Sequence, residues 1–125
     1  MKQVIYTENA PKPIGPYSQA VKVGNLIFIS GQIAIEPSTG LLVNETLEVE
    51  TRKVMENIHA VLQHLNLHFN NIIKTSIFLK NMDDFAAVNE IYGSYFDADY
   101  PARETVEVSR LPKNVNVEIS VIAGS

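Results

Sequence analysis

The chain has 125 residues, 46% of them apolar and 19% charged, which suits one compact domain (1–125) with a real core and a surface short of charge. A net charge of -4 argues against broad nucleic-acid binding, which rests on basic patches, and the absence of cysteine removes disulfides, thiolate chemistry and Cys-based metal sites. No stretch approaches the ~20 apolar residues of a membrane span, and Met1 to Tyr6 lacks the pattern of a secretory signal, so the expected location is the cytosol.

Gln3 to Tyr6 reads as a short first strand. The segment Asn9 to Ser18 carries Pro11, Pro13, Gly15 and Pro16, which forbid regular structure and give a stiff loop. Such a loop can present a side chain at a site, and Tyr17 is the candidate; the competing reading is an aromatic plug at the edge of the core. Ala20 to Val23 and Leu26 to Ile33 flank Gly24-Asn25 and make a hairpin. On its second strand Ile27, Ile29, Gly31 and Ile33 share one face, and Phe28, Ser30 and Gln32 the other. A glycine in mid-strand marks a bulge or the close approach of a ligand or chain.

A first helix is expected from about Glu45 to Leu65, capped by Asn44. Leu47, Val54, Ile58, Val61, Leu62 and Leu65 make its apolar stripe, and Asn66 suits the left-handed residue that ends it. His59 and His64 are five apart, do not share a face, and read as surface histidines rather than metal ligands. Ile72 to Leu79 is rich in strand formers. Asp83-Asp84 then open a second helix from about Phe85 to Phe96, with Phe85, Val88, Tyr92, Tyr95 and Phe96 on its buried side and Asn89 beside them.

Tyr100-Pro101 close a turn, and Arg103 opens an alternating strand. Arg103, Thr105 and Glu107 share one parity; Val106 and Val108 share the other and are expected to face the core. A guanidinium so placed either lies in solvent or grips a carboxylate or phosphate with its fork of donors. In the last strand, Val115 to Ile122, the residues Val117, Ile119 and Val121 oppose Asn116, Glu118 and Ser120. Glu118 thus stands in mid-strand on a polar face.

The order β-ββ-α-β-α-ββ predicts a two-layer α+β sandwich: about six strands, largely antiparallel or mixed, with two helices on one face. The other face, with Ser30, Arg103, Thr105, Asn116 and Glu118, has no cover from the same chain. It is expected to pack against another subunit, with clefts between copies.

Several motifs in order resemble the RidA (YjgF/L-PSP) family over essentially the whole chain. They are Asn9-Ala10-Pro11, Ile14-Gly15-Pro16-Tyr17-Ser18-Gln19-Ala20, Ser30-Gly31-Gln32-Ile33, Asp84-Phe85-Ala86 with Val88-Asn89, Pro101-Ala102-Arg103, and Val106-Glu107-Val108 through Arg110-Leu111-Pro112-Lys113. The resemblance implies a chorismate-mutase-like fold and a homotrimer with three intersubunit sites. It implies hydrolysis of reactive 2-imino acids (2-iminobutanoate, 2-iminopropanoate), the products of PLP-dependent dehydratases, to 2-oxo acids and ammonia without a cofactor or metal. Arg103 matches the family's carboxylate-binding arginine and Glu118 its water-linked glutamate; Tyr17, Ser30, Gly31 and Asn89 match other site positions. Thr105 and Glu104 depart from the family's usual cysteine and small polar residue, and Ser120 stands where a second glutamate is common. Thr105 keeps a hydrogen-bonding group, and parity points Glu104 away from Arg103. Two other readings stand beside this one: an endoribonuclease or translation inhibitor, and a non-enzymatic metabolite-binding or chaperone protein.

Overall fold

The computed structural model describes residues 1–125. Its strands are β1 (Gln3–Ile5), β2 (Ala20–Val23), β3 (Leu26–Gln32), β4 (Ile72–Leu79), β5 (Ala102–Glu107) and β6 (Val117–Gly124); its helices are α1 (Leu47–His64) and α2 (Phe85–Gly93). They form one mixed sheet in the order β1-β2-β3-β6-β4-β5, with both helices packed on the same layer. Every neighbouring pair is antiparallel except β4 and β5, which run parallel and are joined by α2, as a parallel pair requires a crossover. No helix is long and apolar enough to cross a membrane.

The core lies between α1 and the sheet. Val54, Met55, Ile58, Val61 and Leu62 of α1 meet Ile27, Ile29, Ile77, Leu79, Val117, Ile119 and Val121. The cap of α1 is Thr46, not the expected Asn44. Thr46 has extended backbone, and its hydroxyl accepts from the Val49 N–H at 3.1 Å, so the helix begins two residues later than the cap read from the sequence. Asn66 does take the left-handed conformation after the helix (φ 60°). Helix α2 stops at Gly93 rather than Phe96, because Gly93 is a poor helix former and the Ser94 hydroxyl bonds back to the Ile91 carbonyl at 2.6 Å. Tyr95 and Phe96 still pack against the core from outside the helix.

The register corrects the expected facing of the arginine strand. Thr75, Ile77 and Leu79 of β4 are buried under the helices, and they pair with Arg103, Thr105 and Glu107. Register partners share a face, so Arg103 and Thr105 lie on the helix side of the sheet. Val106, paired with Phe78, lies on the open side and is 40% exposed; Val108 joins a small second cluster with Ile33, Ile35, Leu111 and Val115. Alternation showed which residues travel together, but β5 is the outermost strand and mostly exposed on both faces, so nothing in its pattern marks the inner side.

Asn116 also departs from the expected open-face row. Its amide and backbone N–H both donate to the carboxylate of the fully buried Glu50 on α1, at 2.8 Å each. The bulge expected at Gly31 is present, as a register shift between Ile29 and Gln32. It turns Gln32 to the helix side, opposite buried Ile119, and sends Ile33 into the second cluster.

Candidate functional site

Glu118 extends from β6 on the open side of the sheet, level with Phe78. Its carboxylate lies across Gly31: a Cβ at that position would fall on the carboxylate, within 2.9 Å of Cδ, so only glycine leaves the side chain its place. The space around it is a cavity of about 380 Å³ whose wall includes Tyr17, Ser30, Gly31 and Glu118, with Lys12 and Gln32. Tyr17 is half exposed, and its phenol oxygen accepts from the Ile14 N–H at 3.3 Å. Ser30 donates its hydroxyl to the Ser18 carbonyl at 2.6 Å and its N–H to the Gln19 carbonyl at 2.9 Å. Burial without a cationic partner pushes the Glu118 carboxyl above the usual glutamate range. That is the direction expected of a group that must both take and give a proton near neutral pH.

Arg103 is set on the other side of the sheet, against α2. Its Nη1 donates to Asn89 Oδ1 at 2.6 Å, and its guanidinium carbon stands 5.3 Å from the Tyr92 ring centre and 5.6 Å from that of Phe85. Positions 85, 89 and 92 follow one another at helical spacing and so meet the arginine from one face of α2. Tyr92 is fixed in turn by its hydroxyl, which bonds to Thr75 Oγ1 at 2.9 Å beneath the arginine. Burial raises the Tyr92 phenol above its ordinary range, against the weaker opposing pull of that hydrogen bond and of Arg103. No carboxylate lies within 4 Å of the guanidinium. It therefore stands without an acidic partner beside an open groove with Gly93, Tyr100 and Pro101 in its wall.

The structure thus gathers the expected residues into two groups. Tyr17, Ser30, Gly31 and Glu118 share one cavity; Asn89 and Arg103 share one groove. Within a chain the groups do not meet. Through Thr75, Arg103 is level with Val121, three residues beyond Glu118, and the two side chains leave the sheet on opposite faces. Thr105 lines neither space, and its buried Oγ1 has no hydrogen-bond partner. Glu104 points away from Arg103, onto the open face, where it bonds to Ser76 and pairs with Lys74 at 3.4 Å. Those contacts, led by Ser76, lower its carboxyl from the ordinary value.

Sequence reasoning assigned Phe85 and Tyr92 to the buried stripe of the second helix and did not see them as the platform of Arg103. The spacing 85-89-92, with an asparagine between two aromatics, was the available signal. Lys12 and Gln19 were also passed over as parts of the cavity wall.

A family model described as Endoribonuclease L-PSP matches residues 7–125. A RutC family protein of Pyrococcus horikoshii is 56% identical over 123 residues, 98% of this chain and 98% of that protein. Reactive Intermediate Deaminase A, chloroplastic, of Arabidopsis thaliana is 44% identical over 122 residues, which is 98% of this chain and 65% of that protein. Among solved structures, E. coli TdcF with bound serine superposes with a TM-score of 0.93 at 40% identity, covering 98% of this chain and 99% of that one.

Proposed function

The chain belongs to the RidA (YjgF/L-PSP) family, and from that premise we propose that it hydrolyses small 2-imino acids, such as 2-iminobutanoate and 2-iminopropanoate, to 2-oxo acids and ammonia, in sites formed between the subunits of a homotrimer. The observation that carries the reading is Arg103: a guanidinium held by an amide and two rings, with no carboxylate to neutralise it. Such a group is built to receive an anion. A relative named as a deaminase and another solved with a small amino acid bound support a substrate carrying an α-carboxylate.

Because Arg103 and Glu118 leave opposite faces of the sheet, one copy's Arg103 serves another copy's Glu118 cavity. The arginine fork grips the substrate carboxylate and fixes the adjacent C=N carbon over that cavity. A water attacks this carbon, and Glu118 takes its proton as the C–O bond forms. Glu118 then returns the proton to the amino nitrogen of the tetrahedral adduct. As the C–N bond breaks, the hydroxyl proton passes through Glu118 to the departing nitrogen, so that ammonia leaves and the 2-oxo acid remains. One water is consumed and no electrons change hands, so the chemistry calls on no redox cofactor. Asn89 holds Arg103, Tyr17 and Ser30 border the substrate, and the unpaired Thr105 hydroxyl finds its partner at the subunit junction.

The test is a coupled assay, in which a PLP-dependent dehydratase generates the imine and its loss is followed. Arg103→Ala should abolish the acceleration and keep a folded protein by circular dichroism. Normal turnover by that variant ends the proposal.

The description of the family model favours RNA cleavage as a second reading. That chemistry needs an acid/base pair at a phosphodiester and a surface that attracts a polyanion. No histidine lines either space, and the net charge is -4. Cleavage of RNA that persists through purification and disappears in Glu118→Gln would support it.

A further inference from the structure

One residue connects the separate parts of the Glu118 cavity. Gln19, immediately before β2, is 2% exposed and lines the cavity itself. Its side-chain oxygen accepts from the Thr7 N–H at 2.7 Å. Its side-chain nitrogen donates to the carbonyls of Thr7 at 2.9 Å, Pro11 at 3.0 Å and Ala10 at 3.2 Å. Its own backbone carbonyl accepts from the Ser30 N–H at 2.9 Å, next to the Ser18 carbonyl that takes the Ser30 hydroxyl. One side therefore closes the proline-rich loop that delivers Lys12, Ile14 and Tyr17, and the other side holds Ser30, whose neighbour Gly31 lies under Glu118.

The chemistry of the contacts selects an amide. One acceptor faces a backbone donor, and one NH2 faces three carbonyls. A carboxylate in this place would aim negative charge at three carbonyl oxygens, and an apolar side chain would leave four backbone groups, three of them buried, without their partner. The prolines cannot close the loop unaided, since Pro11, Pro13 and Pro16 have no N–H to donate.

We infer that Gln19 is the positioning residue of this site: its amide fixes the loop carrying Tyr17 as a preformed wall opposite Glu118 and Ser30. The inference rests on the deaminase reading for its kinetic consequence, but the clamp is a property of the chain that can be measured apart from it. A loop that loses the clamp samples other positions, and the substrate then meets a wall that is in place for only part of the time.

The experiment compares the parent protein with Gln19→Met and Gln19→Glu by hydrogen exchange and by imine turnover. In Gln19→Met, exchange should quicken about tenfold or more at Thr7, Tyr17 and Ser30, with β4 and α1 amides holding their protection. KM for 2-iminobutanoate should rise about tenfold with a smaller change in kcat, since Glu118 and Arg103 remain intact. Gln19→Glu supplies a pH signature: its protonated carboxyl can accept from Thr7 and donate to one carbonyl, so loop protection should recover at acid pH and fall as the carboxyl ionises. Protection that falls equally throughout the molecule, or a loop and KM unchanged in Gln19→Met, would overturn the inference. If the parent does not turn over the imine, the deaminase reading fails, and the exchange data still decide whether Gln19 holds the loop. Should Gln19→Met not fold, the pH dependence of Gln19→Glu decides instead, and a loop indifferent to pH counts against the clamp.

Discussion

At the scale of single residues, Glu118 and Gly31 make one unit. The carboxylate rests where a β-carbon would otherwise sit, so Gly31→Ala should displace it without disturbing the strand. The obstructed atom is the far end of a flexible side chain, and Gly31 is not at positive φ, so the fold should tolerate the change. Turnover should fall about 10²-fold, the usual result of moving a reacting group by an ångström, with an unfolding midpoint close to the parent's. Glu118→Gln should slow the reaction by about 10²-fold or more and leave binding of a 2-oxo acid nearly intact, as read by kcat and by calorimetry. The same variant tests the raised carboxyl pKa. Burial disfavours the ionised form, so the contribution of Glu118 to stability is complete below the unfolded glutamate range and is lost as pH rises through the raised folded value. Glutamine does not titrate. Relative to the parent, Glu118→Gln should therefore gain in Tm between about pH 4 and pH 8; a constant difference over that window would show that the carboxyl is not perturbed.

At the scale of elements, the sequence carried the order and type of the strands and helices because their periods are strong. The stripe Val54-Ile58-Val61-Leu62 and the alternation Val117-Ile119-Val121 each bury one side only. What it could not carry was orientation in the edge strand β5, where Arg103 was assigned to the open face. A period of two fixes relative facing; the absolute direction comes from the β4 register, a contact between residues nearly thirty positions apart. For the same reason Glu118 and Arg103 were read as neighbours on one face, and the Glu50 clasp on Asn116 was invisible, since it joins positions far apart in the chain. The helix start was misread for a local reason: Asn44 and Thr46 are both good caps, and only the hydroxyl of Thr46 reaches the third residue on. Thr46→Ala should cost about 1 kcal/mol in urea unfolding, whereas Asn44→Ala should cost little.

At the scale of the whole molecule, the separation of Arg103 from Glu118 makes the proposed site a property of an assembly. Alone, Arg103→Ala should be inactive and Glu118→Gln slowed about 10²-fold or more. Co-expressed, they should regain activity, because an intact arginine from one copy can then face an intact glutamate from the other. With random mixing around a ring of three, about a quarter of the sites should be rebuilt. A mixture as inactive as its components would place both residues in one chain's chemistry or in none. Sedimentation of the parent as a monomer would remove the shared site altogether.

The strand that carries Glu118 is the last of the six to be synthesised, yet it occupies a central lane of the sheet, between β3 and β4. Until it arrives, β1-β2-β3 and β4-β5 are two ribbons with no rung between them. On the ribosome the earlier segments must wait, sticky and unjoined, for Gly124 to clear the exit tunnel. Closure of the core and delivery of the carboxylate are then one event, so a nascent chain stalled before Val117 should be degraded by proteases that spare a chain held on the ribosome by a tunnel-length linker fused after Ser125.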